Sequence, residues 1–175
     1  MSQRAGTRRN GLRSHTPTHP HPVTPRPHLT TVPLVVRGYD VDFGGIVSNI
    51  VTVRWLEDVR TALLDRVTPM RAMVEGGVAP VVARLEVDYR RPVRLFDAVE
   101  GRVWTGAVGR SSLELFTEVV RPGTEGAAGA AVGQDEGSPD GGPLVYTAAR
   151  QLMVFVDLGT GRPVPVPDAY RPADA

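Results

Sequence analysis

The stretch YDVDFGGIVSNIVTVRWLEDVR, residues 39–60, followed by VARLEVDYR, residues 82–90, decides the fold. In the first, Gly44 and Gly45 break an acidic segment, and Ser48 and Asn49 are favourable helix N-cap residues. Val51, Trp55, Val59 and Ala62 then recur at four- and three-residue spacing, with Leu56 and Leu63 widening the stripe, so the pattern predicts an amphipathic helix. Arg54, Glu57, Asp58, Arg60 and Thr61 read as its solvated flank. Pro69 ends or redirects the helix, and Gly76 with Gly77 marks a turn. In the second stretch the period drops to two: Ala83, Leu85, Val87 and Tyr89 alternate with Arg84, Glu86, Asp88 and Arg90, as in a strand with one buried face.

Working outward, VPLVVRGY, residues 32–39, reads as a first strand ahead of the helix. Three more strand-like runs follow: Ala98 to Val108, Ser111 to Val120, and Leu144 to Asp157. Gly109 and Arg110 make a tight hairpin link, whereas residues 122–143 form a Gly-, Ala- and Asp-rich loop insertion. There is no internal repeat. One strand, one long helix and four antiparallel strands give an α+β domain over residues 32–171, with the sheet wrapped around the helix. One helix cannot cover both faces and the edges of such a sheet, so association through sheet edges is expected. Residues 1–31 read as a disordered, basic, Pro- and His-rich tail, and residues 172–175 as a short second tail.

Composition removes rival chemistries. The 175 residues, 41% hydrophobic, suffice for one ordinary core. The absence of cysteine excludes disulfides, thiolate zinc sites and thiol nucleophiles. The absence of lysine excludes Schiff-base chemistry and a P-loop lysine, so arginine alone must meet any phosphate. His15, His19, His21 and His28 all lie in the leading segment, which leaves the expected domain without an imidazole for a Ser-His-Asp triad or metal centre. Five of the twenty arginines sit in that acid-free segment; the other fifteen face all nineteen acids, a balance of −4 in the domain. No basic stripe within the fold points to nucleic acid. No apolar run approaches the roughly 20 residues of a membrane span, and no signal-peptide core is seen, so a cytoplasmic protein is expected.

A carboxylate beside a helix N-terminus has a chemical use. The helix start offers unpaired N–H groups and partial positive charge to an oxyanion, while an ionised carboxylate serves as nucleophile or base. A turn-capping aspartate is the structural alternative for Asp42.

The chain resembles the hot-dog-fold acyl-CoA thioesterases of the 4-hydroxybenzoyl-CoA thioesterase type over most of residues 32–171. The resemblance rests on an Asp-x-Asp-x-x-Gly-x-Val turn before a helix carrying Trp-Leu-Glu and Arg: Asp40, Asp42, Gly45, Val47, Trp55, Leu56, Glu57 and Arg60. Supporting stretches are VDYRRPVRLFD, residues 87–97, GRSS, residues 109–112, and VFVDLGTGRPVPVP, residues 154–167. It implies a long central helix wrapped by an antiparallel five-stranded sheet, hydrolysis of an acyl-CoA, and a homodimer or homotetramer. It implies no cofactor beyond the coenzyme A carried by the substrate, and no metal. Asp42 matches the catalytic carboxylate, and the Asn49 backbone amide the donor to the thioester oxygen. Gly45 and Val47 match positions beside the acyl group. Arg110, with Arg91 second, matches a position near the nucleotide, and Ser111 and Ser112 match the thioester channel. Asp40 matches a turn-supporting position. Glu57 lies where another hot-dog subgroup places its carboxylate, and Trp55 and Trp104 are core or acyl-pocket residues.

Two departures stand out. Where short-chain relatives carry a histidine after the glycines, this chain has Ile46 and Asn49, and SNIVTV lacks the aromatic residue common there. Both are compatible with a second reading, a non-catalytic module that holds an acyl thioester or a carrier-protein partner. Hydratase action is disfavoured because those sites use histidine.

Overall fold

The computed structural model describes residues 26–123 and 144–171; the expected tail up to residue 25, most of the expected insertion and the last four residues lie outside them. The first strand, β1, is Thr30–Leu34, starting two residues earlier and ending five residues sooner than its apolar run suggested. The chain then enters a 3-10 turn, Gly38–Asp40, and leads into helix α1, Asn49–Val67. A short helix α2, Met70–Glu75, follows Pro69, and Gly77 reverses the chain at φ +75°. The remaining strands are β2 Val78–Tyr89, β3 Val99–Val108, β4 Ser112–Val120 and β5 Val145–Asp157. They pair antiparallel in the order β1-β3-β4-β5-β2.

Helix α1 starts where the cap residues place it, with the Ser48 Oγ accepting the Val51 N–H at 3.4 Å. Its apolar stripe is buried through Val51, Trp55, Leu56, Val59, Leu63 and Leu64. The C-terminal half packs Val59, Leu63 and Leu64 against Val103, Leu115, Met153 and Phe155, closed at the end by Tyr170, whose hydroxyl donates to the Leu64 carbonyl at 3.1 Å. The N-terminal half packs Val51 and Trp55 against Val47, Val93, Val99 and Val119. Trp55 is therefore core. Trp104 sits on the opposite face of the sheet, stacked on Phe116 at 5.9 Å and covered by the Arg26 guanidinium at 4.2 Å.

The helix lies over β1, β3 and β4 and stops short of β2, the far edge. The apolar row expected to be buried on β2 is consequently open in the single chain, with Leu85 38% and Tyr89 50% exposed. The alternation was right, but nothing among the described residues of one chain covers that side of the sheet. No helix among the described residues is long and apolar enough to cross a membrane.

One histidine belongs to the fold, contrary to the sequence reading. His28 precedes β1 at φ +56° and packs edge-on against Tyr170, with ring centroids 6.5 Å apart. It is drawn in because the neighbouring Pro27 carbonyl accepts the Thr105 N–H at 3.0 Å.

The helix–sheet contact depends on Gly101. A Cβ there would lie 2.3 Å from Val59 Cγ2 and 3.4 Å from Leu34 Cδ1. Gly101→Ala is expected to destabilise the fold by about 1–3 kcal/mol through overpacking. In urea denaturation of a double-mutant cycle, that cost should fall by more than half once Val59 is alanine.

Candidate active site

The acidic turn is built from the backbone. Asp40 is buried; its carboxylate accepts the Arg37 N–H at 2.8 Å, and its carbonyl accepts the Ser48 N–H at 3.0 Å. It ties the turn to the helix cap, as its motif position implied. Asp42 stands outside, exposed to solvent. Its N–H donates to the Ile46 carbonyl at 2.9 Å, its carbonyl accepts the Gly45 N–H at 3.0 Å, and its Oδ1 accepts the Gly44 N–H at 2.8 Å. Gly45 adopts φ +75°, a left-handed conformation that favours glycine and closes the turn. The carboxylate thus does cap a turn, and its Oδ2 remains available.

The turn is pinned to the segment after β2. Val47 is buried, and its N–H donates to the Val93 carbonyl at 2.8 Å; Ile46 bridges to Arg94. At the start of α1, the Val51 N–H is met by Ser48. The N–H groups of Asn49 and Ile50 meet no protein acceptor among the described residues. These are the unpaired donors of a helix N-terminus, where partial positive charge gathers.

They open beside a cleft of about 240 Å³, lined by Ile46, Val47, Asn49 and Thr52 on one side, Tyr89 to Val93 on the other, and Thr147 below. Asn49, Val47 and Arg91 from the sequence reading come together here. Thr52 and Thr147, both buried, and Arg90 were not anticipated. Thr52 lies three residues after Asn49, on the same side of the helix, which was a usable signal; Thr147 is a polar residue on an inward-facing strand position. Asp42 adjoins the cleft through Ile46 without lining it. Gly45 is in the same turn. Glu57, two turns into α1, is largely exposed and pairs with Arg60 at 3.5 Å.

Arg110, Ser111 and Ser112 are elsewhere in the chain. Their hairpin is held at the opposite end of the sheet, where the Arg110 carbonyl accepts the Val166 N–H and the Ser111 carbonyl the Phe155 N–H. Ser112 pairs with Val154, seven residues from cleft-lining Thr147 along β5, or roughly 23 Å at ~3.3 Å per residue. His28 is also remote: Leu64, which holds its neighbour Tyr170, is fifteen residues beyond Asn49, about 22 Å along the helix. Among the described residues, no three metal-ligating side chains cluster.

The thioesterase-like superfamily profile matches residues 36–173. Among solved structures, a thioesterase of Thermus thermophilus, complexed with coenzyme A and zinc, is 32% identical, with 81% of this chain and 93% of that one covered and a TM-score of 0.60. The PA2801 protein of Pseudomonas aeruginosa is 27% identical over 86% of this chain and all of its own, with a TM-score of 0.64. A DHNA-CoA thioesterase of Staphylococcus aureus, 16% identical over 82% of this chain and 84% of its own, shares the fold at a TM-score of 0.62. No curated protein matches the chain.

Gly44 tests the turn. A Cβ there would lie 3.1 Å from Asp42 Oδ1, close enough to displace the carboxylate. Gly44→Ala, on an exposed turn, should leave thermal stability within about 0.5 kcal/mol. If Asp42 takes part in hydrolysis, turnover should fall severalfold through its displacement by a few tenths of an ångström, a split readable by pairing a melting curve with an activity assay.

Proposed function

The chain belongs to the thioesterase-like superfamily of hot-dog-fold thioester hydrolases, and from that premise we propose that it is an acyl-CoA thioesterase acting through Asp42 and the Asn49 amide. The observation that carries this reading is the unpaired N–H of cleft-lining Asn49 at the start of α1, with an exposed carboxylate in the adjoining turn. The thioester carbonyl oxygen accepts from the Asn49 N–H, and charge developing on it is stabilised there. Asp42 either attacks the carbonyl carbon or takes a proton from the attacking water. The C–S bond breaks, the sulfur leaves as coenzyme A thiol after protonation, and water supplies the oxygen of the free acid. No imidazole enters the scheme.

The complete site in this reading needs a second copy. Strand β2 is a twelve-residue edge with an open apolar row, a surface suited to pairing with itself. Antiparallel pairing about a twofold axis sets the Val78 end of one β2 beside the Tyr89 end of the other. The partner's Arg110–Ser112 hairpin then comes to the same end as this chain's Asn49, where an arginine is suited to the phosphates of coenzyme A. A homodimer is therefore proposed as the functional unit.

Release of free thiol from a panel of acyl-CoAs tests the chemistry. Asp42→Asn is expected to abolish measurable hydrolysis while the protein stays folded; undiminished turnover would remove Asp42 from the mechanism. Asn49→Pro tests the amide directly, because proline is tolerated at the first helical position and Ser48 already has an extended backbone, φ −68° and ψ 153°. It should cost on the order of 10²- to 10³-fold more in kcat than Asn49→Ala, which keeps the N–H. Arg110→Ala should raise KM for acyl-CoA more than for the matching acyl-pantetheine, which lacks the nucleotide. Equal shifts would place Arg110 away from it.

A further inference from the structure

The cleft has an exposed mouth and a buried end. Asn49, Tyr89, Arg90, Arg91 and Pro92 at the mouth are exposed, whereas Thr52 is 5% and Thr147 3% exposed. One turn further along α1, Leu56 is 1% exposed, and two residues further along β5, Ala149 is 7% exposed; neither lines the cleft, so it stops at the two threonines. Asn49 and Thr52 are three residues apart, ~4.5 Å along the helix axis, and so are neighbours on one side of α1. Thr147 stands on the inward face of β5, between Tyr89 on β2 and Val119 on β4. At about 240 Å³ the cleft is small beside the ~300–1,000 Å³ of pockets that take drug-sized ligands.

The closed end is polar, and its two hydroxyls are differently committed. Thr52 Oγ1 donates to the Ser48 carbonyl at 3.4 Å, a long bond that uses its proton and leaves its lone pairs. The Thr147 hydroxyl makes no hydrogen bond with a described residue. Nor is it sealed in the core: its oxygen borders open space, which at this position is the cleft. Ile46, Val47 and Val93, the apolar part of the lining, offer it no side-chain partner. A buried hydroxyl left unpaired is costly, and nearly all such groups in folded proteins find a partner. One oxygen here can accept and the other can both accept and donate. A hydroxyl on a ligand matches both, a ketone oxygen accepts from Thr147 alone, and a methyl group matches neither.

We propose that Thr147, together with Thr52, determines specificity by receiving a hydroxyl on the third carbon of a short acyl group, so that the substrates are 3-hydroxyacyl thioesters rather than plain alkyl ones. This rests on the acyl-CoA reading of the same site. With the thioester carbonyl at the Asn49 amide, the closed end lies ~4.5 Å further along α1, less the lean of the Thr52 side chain towards the helix N-terminus. An extended chain advances ~1.2 Å per bond, so the span is about three bonds, the separation of a carbonyl carbon from an oxygen on carbon three. That hydroxyl accepts from Thr147 and donates to Thr52. An alkyl chain in its place expels water and leaves the Thr147 hydroxyl unpaired. Length is bounded too, because Leu56 and Ala149 close the way beyond.

The test measures kcat/KM for butanoyl-CoA, each enantiomer of 3-hydroxybutanoyl-CoA, and dodecanoyl-CoA, in the full-length native protein, Thr147→Val, Thr147→Ser and Thr52→Val. Native protein should favour one 3-hydroxybutanoyl enantiomer over butanoyl-CoA by about tenfold or more, and should turn over dodecanoyl-CoA worst. Thr147→Val keeps the shape without the hydroxyl and should bring the hydroxyacyl-to-alkyl ratio towards one. Thr147→Ser, which retains the hydroxyl, should keep most of it, and Thr52→Val part of it. A native preference for either alkyl substrate, or no preference, overturns the inference while leaving the thioesterase reading standing. So does a Thr147→Val variant in which both rates fall together and the ratio stays unchanged, the signature of a structural threonine. Hydrolysis of none of these substrates overturns the acyl-CoA reading and this inference with it. If Thr147→Val does not fold, the native ratio and the Thr52→Val ratio decide alone.

Discussion

A single helix about 10 Å across has to serve a sheet of five strands spaced roughly 4.8 Å apart, and it cannot cover them all. Helix α1 settles over β1, β3 and β4, where Gly101 lets it approach closely. The candidate site lies in what this leaves open. The cleft at the start of α1 and the exposed apolar residues of β2 both lie on that side. A wider helical layer would fill that side with side chains and leave no room for a ligand.

The helix is anchored unevenly along its length, and that separates rigid from reactive parts. Its C-terminal half is locked by the larger core cluster, Tyr170 and α2. Its N-terminal half is fixed by Trp55 and Val51 below and by Asp40 and Ser48 at the cap. The Asn49 amide is therefore held by packing that it does not itself provide. Asp42 is placed by backbone hydrogen bonds within its turn and by the pairing of Val47 with Val93. Preorganisation of this kind costs no rearrangement when charge develops on a substrate.

Much of this was legible in the sequence because it depends on local chemistry. The Ser48 cap, the stripe from Val51 to Leu63, and the glycines at 44, 45 and 77 each act within a few residues of themselves, and the structure keeps them. The alternation in β2 was legible too; its exposure was not, since whether Leu85 and Tyr89 are covered depends on how wide the helical layer is and where it sits. The same limit applies to Arg60, which reads as solvated flank by helical period alone but is half-buried and donates to Gln151, ninety-one residues away. His28 was assigned to a tail on composition, whereas one carbonyl, that of Pro27, joins it to the sheet. The hairpin at Arg110 matched a motif, but its place at the far end of the sheet from Asn49 depends on strand register, which a motif does not contain.

The unusual SNIVTV segment can be understood in the same terms. An oxyanion donor that is a side chain constrains the residue type at its position; a backbone N–H constrains only the backbone. In the proposed mechanism any residue but proline at position 49 supplies the donor, provided that Ser48 caps the helix and Asp40 holds the turn. The segment is thereby free to differ in the side chains it presents to the cleft without touching the proposed oxyanion donor. Ile46, Asn49 and Thr52 line the cleft, so in the proposed mechanism they set its shape and polarity while the backbone N–H stays the same. In the proposed reading, the departures of this segment fall among the side chains that line the cleft, not on the backbone donor.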